Sequence, residues 1–246
     1  TAHIGGNFSE AEILTALYFN ILRIDPAKPD DPGRDRFILS KGHAVASLYA
    51  TLAVRGFISE ATLETFYANG GFLPGHVSKG AMAGIEASMG SLGHGLPIGI
   101  GMAWAAKKDK KNYRTFVLMS DGECDEGSNW EAILFAGHHK LDNLVAIVDY
   151  NKWQSFGRTK EVLDLEPFAA KWKDFNWAVQ EVDGHDMEMV ISALEKVPFE
   201  PARPSVLIAH TIKGNGLLAL EDKLESHYKP PTPEEAAKII ESIENS

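Results

Sequence analysis

Arg114-Thr115-Phe116-Val117-Leu118-Met119-Ser120-Asp121-Gly122-Glu123 and, further along, Leu144-Val145-Ala146-Ile147-Val148-Asp149-Tyr150-Asn151 are the two segments that set the architecture. Each is a short apolar run that stops at a small polar cluster. Apolar runs of this length suit strands buried on both faces of a parallel sheet. Residues 126–140, between them, suit a helix. In open α/β sheets ligands bind beyond the carboxyl ends of the strands, so Asp121 and Asn151 are expected at one edge. A carboxylate and an amide oxygen are hard ligands suited to Mg²⁺. Gly122 allows close approach of a phosphate, and its N–H lies at a turn before a helix. Alone, Asp121-Gly122 would read as a turn and Asn151 as a strand-end cap. The paired strand ends favour the ligand reading.

Outward from this pair the same rhythm continues. Strand patterns at 178–183 and 205–211 enclose a helical pattern at 187–196, which predicts a parallel sheet covered by helices. Towards the amino end, Ser9-Glu10-Ala11-Glu12 has the form of a capping box. It precedes Ile13, Leu14, Leu17, Tyr18 and Ile21 at helical spacing. Residues 26–33 read as a loop, 44–54 as a helix and 59–66 as a short helix. Glycine is dense from Gly70 to Gly95, as in an ordered loop whose backbone approaches something closely. Thr232-Pro233-Glu234-Glu235 caps a last helix. No linker interrupts the pattern, so residues 1–246 are read as one domain.

Formal net charge is −10, and Lys and Arg form no long run. This argues against nucleic acid and anionic membrane as partners. A single cysteine, Cys124, supports no disulfide framework and suits a reducing, cytoplasmic location. No apolar stretch reaches the ~20 residues of a membrane span, and glycines break the run 96–106. The chain opens at Thr1 without an initiator methionine, and further residues are expected to precede it.

The Asp121-Gly122 … Asn151 pattern resembles the thiamine diphosphate motif, with Ser120 where the family usually has glycine. Six further segments resemble transketolase in type and order: Ala2-His3-Ile4-Gly5-Gly6, Ser40-Lys41-Gly42-His43-Ala44, Leu73-Pro74-Gly75-His76, Gly90-Ser91-Leu92-Gly93-His94-Gly95, Gly137-His138-His139-Lys140-Leu141 and Thr211-Ile212-Lys213-Gly214-Asn215-Gly216. The resemblance implies the thiamine-diphosphate-binding α/β fold. It also implies transfer of a two-carbon ketol unit from a ketose to an aldose, as in pentose phosphate metabolism.

Carried over residue by residue, the resemblance implies that His3, His76 and His227 face the sugar chain, where imidazoles bond hydroxyls and move protons. His43 and His227 are implied at the diphosphate. Gly90, Ser91 and Leu92 would run beneath the thiazolium, and Gly122 would contact the cofactor. Glu126 would join the cofactor site and an acidic network across a dimer. Asp121, Asn151 and the Trp153 carbonyl would hold Mg²⁺, with Ca²⁺ or Mn²⁺ as substitutes. His94 is a proton donor or, preferably, a helix cap. Cys124, His138 and His139 are bystanders.

In the family an activating Glu lies on a separate pyrimidine-binding domain, which this chain does not include. The resemblance therefore implies a second subunit carrying that domain, in an assembly of two copies of each chain. Truncation of a longer chain is the alternative. Two other functions remain: the alpha-type subunit of another thiamine enzyme, such as a 2-oxoacid dehydrogenase, and a non-catalytic subunit retaining the fold.

Overall fold

The computed structural model describes residues 3–244. Thr1 and Ala2, at the start of the first quoted segment, lie outside them. Five strands form one parallel sheet: β1 (Arg36–Leu39), β2 (Thr115–Ser120), β3 (Leu144–Tyr150), β4 (Ala178–Asp183) and β5 (Ser205–His210), in the order β1-β2-β3-β5-β4. In β2 and β3 every residue is buried except the last of each, the pattern of strands covered on both faces. The register aligns Ser120 with Asp149 and Tyr150 with His210, so the polar residues that follow all emerge along one edge.

Helices α1 (Ile4–Ser9) and α2 (Ala11–Ala16) lead into a π-turn (Leu17–Ile21), followed after β1 by α3 (Val45–Arg55) and the short α4 (Glu60–Leu63). Then come α5 (Gly95–Lys108), α6 (Gly127–His138), α7 (Thr159–Val162), α8 (Phe168–Asp174), α9 (Met187–Leu194) and α10 (Pro233–Glu244). Adjacent residues of β1 point to opposite layers. Phe37 meets Tyr18 of the π-turn, with ring centroids 5.5 Å apart, while Ile38 lies towards α5. Gly99 explains why glycine interrupts α5: a Cβ there would stand 2.5 Å from Val117 Cγ2 of β2. Glycine lets the helix lie directly on the strand.

Two expectations fail. The Ser9–Glu12 capping box does not form, because the first helix begins earlier, at Ile4, and Ser9 is its last residue. Ser9 Oγ donates to Asp149 Oδ2 at 2.6 Å, and Glu10 pairs with Lys41. A buried carboxylate attracts a hydroxyl more strongly than a helix N–H does. His94 precedes α5 without capping it. Its Nδ1 lies 3.0 Å from the Leu92 carbonyl, and Ser40 Oγ accepts from Gly95 N instead. The Thr232–Glu235 box does form: Thr232 N donates to Glu235 Oε2 at 2.7 Å and Glu235 N to Thr232 Oγ1 at 3.2 Å.

Between α4 and α5, residues 64–94 contain no helix or strand, as the glycine density predicts. Leu73, Val77, Ile85 and Met89 bury their side chains and pin this loop to the core. Strand β1 and helices α7 and α8 have no counterpart in the sequence reading. β1 is four residues long with no alternation, too short to separate strand from helix.

Candidate active site

One cavity of about 240 Å³ opens at the carboxyl edge of the sheet. Its walls include Lys41 and His43 after β1, Ser120 and Gly122 after β2, Asn151 and Trp153 after β3, and Lys213 after β5. His3, His76, Gly90, Leu92 and His227 close it from the helix and loop side. The four histidines gather although they lie far apart in the chain. The His3 ring centroid is 5.0 Å from those of His43 and His227 and 6.2 Å from that of His76.

Asp121 lies just under this wall and is fully buried. Its two oxygens accept from Gly122 N at 2.8 Å and Lys152 N at 2.6 Å. Burial, reinforced by the nearby Asp149 carboxylate, nevertheless pushes its pKa up to about 7. Among the described residues it makes no ion pair with a cationic side chain. A divalent cation beside it would reverse that cost, and Asp121 and Asn151 offer the hard oxygens such an ion takes. Among the described residues no three or more His, Cys, Asp or Glu side chains cluster to hold a metal. An ion here would need oxygens from Asn151, from the backbone and from a bound phosphate, the pattern Mg²⁺ adopts in phosphate sites. The residues present therefore fit the cofactor pair.

The opposite wall is cationic. Lys213 is 3% exposed, and its Nζ donates to Nδ1 of His227 at 3.0 Å. Burial pulls the Lys213 pKa down to about 8. Burial, with Lys213 and His3 beside it, lowers His227 to about 3. His43 is held well below the usual imidazole range by burial and by Lys41. At neutral pH both imidazoles are neutral, and the positive charge on this wall is that of Lys213, since Lys41 is ion-paired with Glu10 and Asp149.

Ser91 and Glu126 do not line the cavity. Ser91 is exposed, and Glu126 stands exposed at the start of α6 without a side-chain cap. The buried acid nearby is Glu123. Its Oε1 accepts from Gly93 N at 2.9 Å and from Ser40 Oγ, tying residues 90–95 to the end of β2. Gly93 has φ +81°, and a Cβ there would meet Glu126 Cβ at 2.6 Å, so the sharp loop requires glycine. Cys124 is buried, as a bystander would be, and His138 ends α6.

The sequence reading assigned no role to Lys41, Lys213, Gln154 or Ser155, which also line the cavity. Lys213 had a usable signal: a lysine just beyond a buried strand on the same edge as Asp121. Lys41 had none, since its burial depends on Glu10 and Asp149, which are distant in sequence.

Residues 1–243 match the family described as transketolase, thiamine diphosphate binding domain. The chain is 45% identical over 241 residues to an apulose-4-phosphate transketolase subunit of Phocaeicola vulgatus, covering 98% of this chain and 85% of that one. It is 42% identical over 242 residues to 6-deoxy-6-sulfo-D-fructose transketolase subunit SqwG of Clostridium sp., covering 98% and 88%. The solved transketolase of Campylobacter jejuni superposes with a TM-score of 0.89 at 29% identity, over 98% of this chain. This chain spans 41% of the length of that transketolase. The match runs through the carboxyl-edge cavity and through the sheet that builds it, and the chain belongs to the transketolase family as its thiamine diphosphate-binding domain.

Proposed function

We propose that this chain binds thiamine diphosphate with Mg²⁺ and acts as one subunit of a two-chain transketolase. The observation that carries this reading is the cavity itself. Fully buried Asp121 lies beside Asn151 on one side, and neutral His43 and His227 with buried Lys213 stand on the other. Asp121, Asn151 and the Trp153 carbonyl would hold the ion, for which Ca²⁺ or Mn²⁺ would substitute. Lys213, His43 and His227 would face the diphosphate, with Gly122 N–H beside it. Gly90 and Leu92 would lie under the ring system. Residues 1–246 are then a single thiamine-diphosphate-binding domain built on one sheet.

When bound, the cofactor supplies a carbon that accepts a two-carbon ketol unit from a ketose and passes it to an aldose. The chain's own groups orient the sugar. His3 and His76 stand at the mouth, where their ring nitrogens bond hydroxyls and hold or release protons. The relatives named above carry a phosphate or a sulfonate in their sugar names, and we extend that to sugars with an anionic terminus here. We infer a cytoplasmic location from the lone buried thiol of Cys124. Among the described residues no helix is long and apolar enough to cross a membrane.

The second subunit would carry the pyrimidine-binding domain, in an assembly of two copies of each chain. Relatives named as transketolase subunits, matched over most of their length, support this reading. The exposure of Glu126 is compatible with a role at that interface.

Calorimetry with thiamine diphosphate and Mg²⁺ tests the cofactor assignment. Asp121→Ala should weaken cofactor binding at least tenfold, about 1.4 kcal/mol. Unchanged affinity in a folded variant rules the assignment out. Assaying ketose cleavage against oxidative decarboxylation separates transketolase from a 2-oxoacid dehydrogenase subunit.

A further inference from the structure

Asp149 is fully buried at the end of β3, beneath the cavity and outside its lining. Four side chains donate to its carboxylate. Oδ2 accepts from Ser9 Oγ at 2.6 Å, from Asn151 Nδ2 at 3.1 Å and from Lys41 Nζ, and Oδ1 accepts from Thr211 Oγ1. A carboxylate is an acceptor with no N–H or O–H of its own, so all four donors are satisfied together. The donors come from α1 and from the ends of β1, β3 and β5.

Three members of this hub stand two positions before a cavity residue: Lys41 before His43, Asp149 before Asn151, and Thr211 before Lys213. With one intervening residue as tether, a two-residue step covers only about 7 Å. Fixing the three anchors below therefore fixes the spacing of the three functional groups above.

The Asn151 amide is held from both sides. Nδ2 donates to Asp149, and Oδ1 accepts from the Trp153 backbone N–H at 3.1 Å. Turning the amide over would set its oxygen against a carboxylate and its NH₂ against an N–H. Two hydrogen bonds would become two repulsions. The held orientation leaves Oδ1, with its second lone pair, as the atom that can take another partner.

We propose that Asp149 is the positioning residue of this site: it makes the Asn151 amide oxygen the atom offered to a divalent cation, and it keeps His43 and Lys213 in register around it. The inference rests on the cofactor reading above. Asp149 touches neither ion nor sugar and acts only through the residues it holds.

The test is calorimetric titration of Mg²⁺ at saturating thiamine diphosphate, on the full chain in its native assembly. Asp149→Ala should weaken Mg²⁺ binding at least tenfold, because Asn151 Nδ2 loses the acceptor that orients its amide. Asn151→Asp should weaken it as well, although a carboxylate is a good Mg²⁺ ligand, because the new carboxylate faces Asp149. Asp35→Asn, which removes a buried carboxylate at the opposite edge of the sheet, should lower the thermal midpoint and leave Mg²⁺ affinity within twofold. If Asp149→Ala does not fold, Asn151→Asp decides the matter: Mg²⁺ bound as tightly as by wild type, or more tightly, overturns the proposal. Wild-type protein that binds no Mg²⁺ with the cofactor overturns the cofactor reading and this proposal with it. Wild-type protein that binds, with Asp149→Ala or Asn151→Asp binding equally, overturns the proposal alone.

Discussion

Lys213 Nζ lies 3.0 Å from Nδ1 of His227, and no carboxylate among the described residues forms an ion pair with Lys213. A buried ammonium with only a neutral imidazole as its side-chain partner is costly in the cofactor-free protein. It becomes favourable when an anion enters. The same placement that would bind a diphosphate therefore weakens the cofactor-free fold.

Lys213→Met should separate those two effects. The folded pKa of Lys213, about 8, lies below its ordinary value of 10.5. The unfolded chain thus binds more protons than the folded one between these values. The contribution of this group to stability rises with pH from about 8 to 10.5 and is fully unfavourable below 8. At pH 7 and without cofactor, Lys213→Met should be more stable than wild type by on the order of 2 kcal/mol. Its thiamine diphosphate affinity should fall at least tenfold. Thermal melts with calorimetry check both, and a less stable variant with unchanged affinity contradicts the assignment.

Cofactor binding should also take up protons at pH 8. An entering diphosphate opposes the depression of Lys213, His43 and His227, so their proton affinities rise together. The observed binding enthalpy should then change with the ionisation enthalpy of the buffer. Identical enthalpies in phosphate and Tris would rule this out.

His76→Ala should reduce turnover more than cofactor affinity. His76 lies at the cavity mouth, is exposed, and makes its ring contact with His3. Removing one positioned donor or proton-transfer group costs roughly 10²–10³ in rate. Steady-state kinetics and a cofactor titration on the same preparation would check this. An equal loss of affinity with turnover intact would move His76 to the diphosphate.

Purified alone, the chain should be nearly inactive in ketol transfer even at saturating cofactor and Mg²⁺, and adding the pyrimidine-binding subunit should restore activity. Hydrogen exchange across residues 70–94 should slow in the same titration, because this stretch has no helix or strand of its own. Full activity from the isolated chain would refute the two-chain assignment.

Asp35 predicts an acid-dependent loss of stability far from the cavity. It is 1% exposed and accepts from Arg23 Nη2 at 2.7 Å and Arg114 Nη2 at 2.6 Å. Burial raises its pKa, but the bonds from Arg23 and Arg114 outweigh it and hold the carboxyl below its usual value. A depressed carboxyl stabilises the fold above its unfolded pKa of about 3.9, and that stability is lost as pH falls through the folded value. Asp35→Asn should cost about 2 kcal/mol at pH 7, discounted because Arg23 is half exposed. The gap from wild type should close below about pH 4. Urea midpoints across pH 3–7 would measure it.

The parallel sheet, the edge at which the cavity opens and the family were all legible along the chain. They follow from local information: apolar runs of strand length, polar residues directly after them, and histidines in glycine-rich loops. Asp121, Asn151 and the histidines could be singled out as candidates because the pattern that marks them lies in their immediate neighbours. What Ser9, Glu10, Lys41 and Asp149 do emerges from the folded arrangement alone. Ser9 has the pattern of a helix cap, yet it donates to a carboxylate 140 residues away. Ser91 and Glu126 read as cofactor-binding, yet both are exposed and lie outside the cavity lining. The difference is one of range. Periodicity and capping report interactions within a few residues, whereas a buried charge is placed by whichever distant partners the sheet brings to it, and no pattern along the chain encodes that meeting.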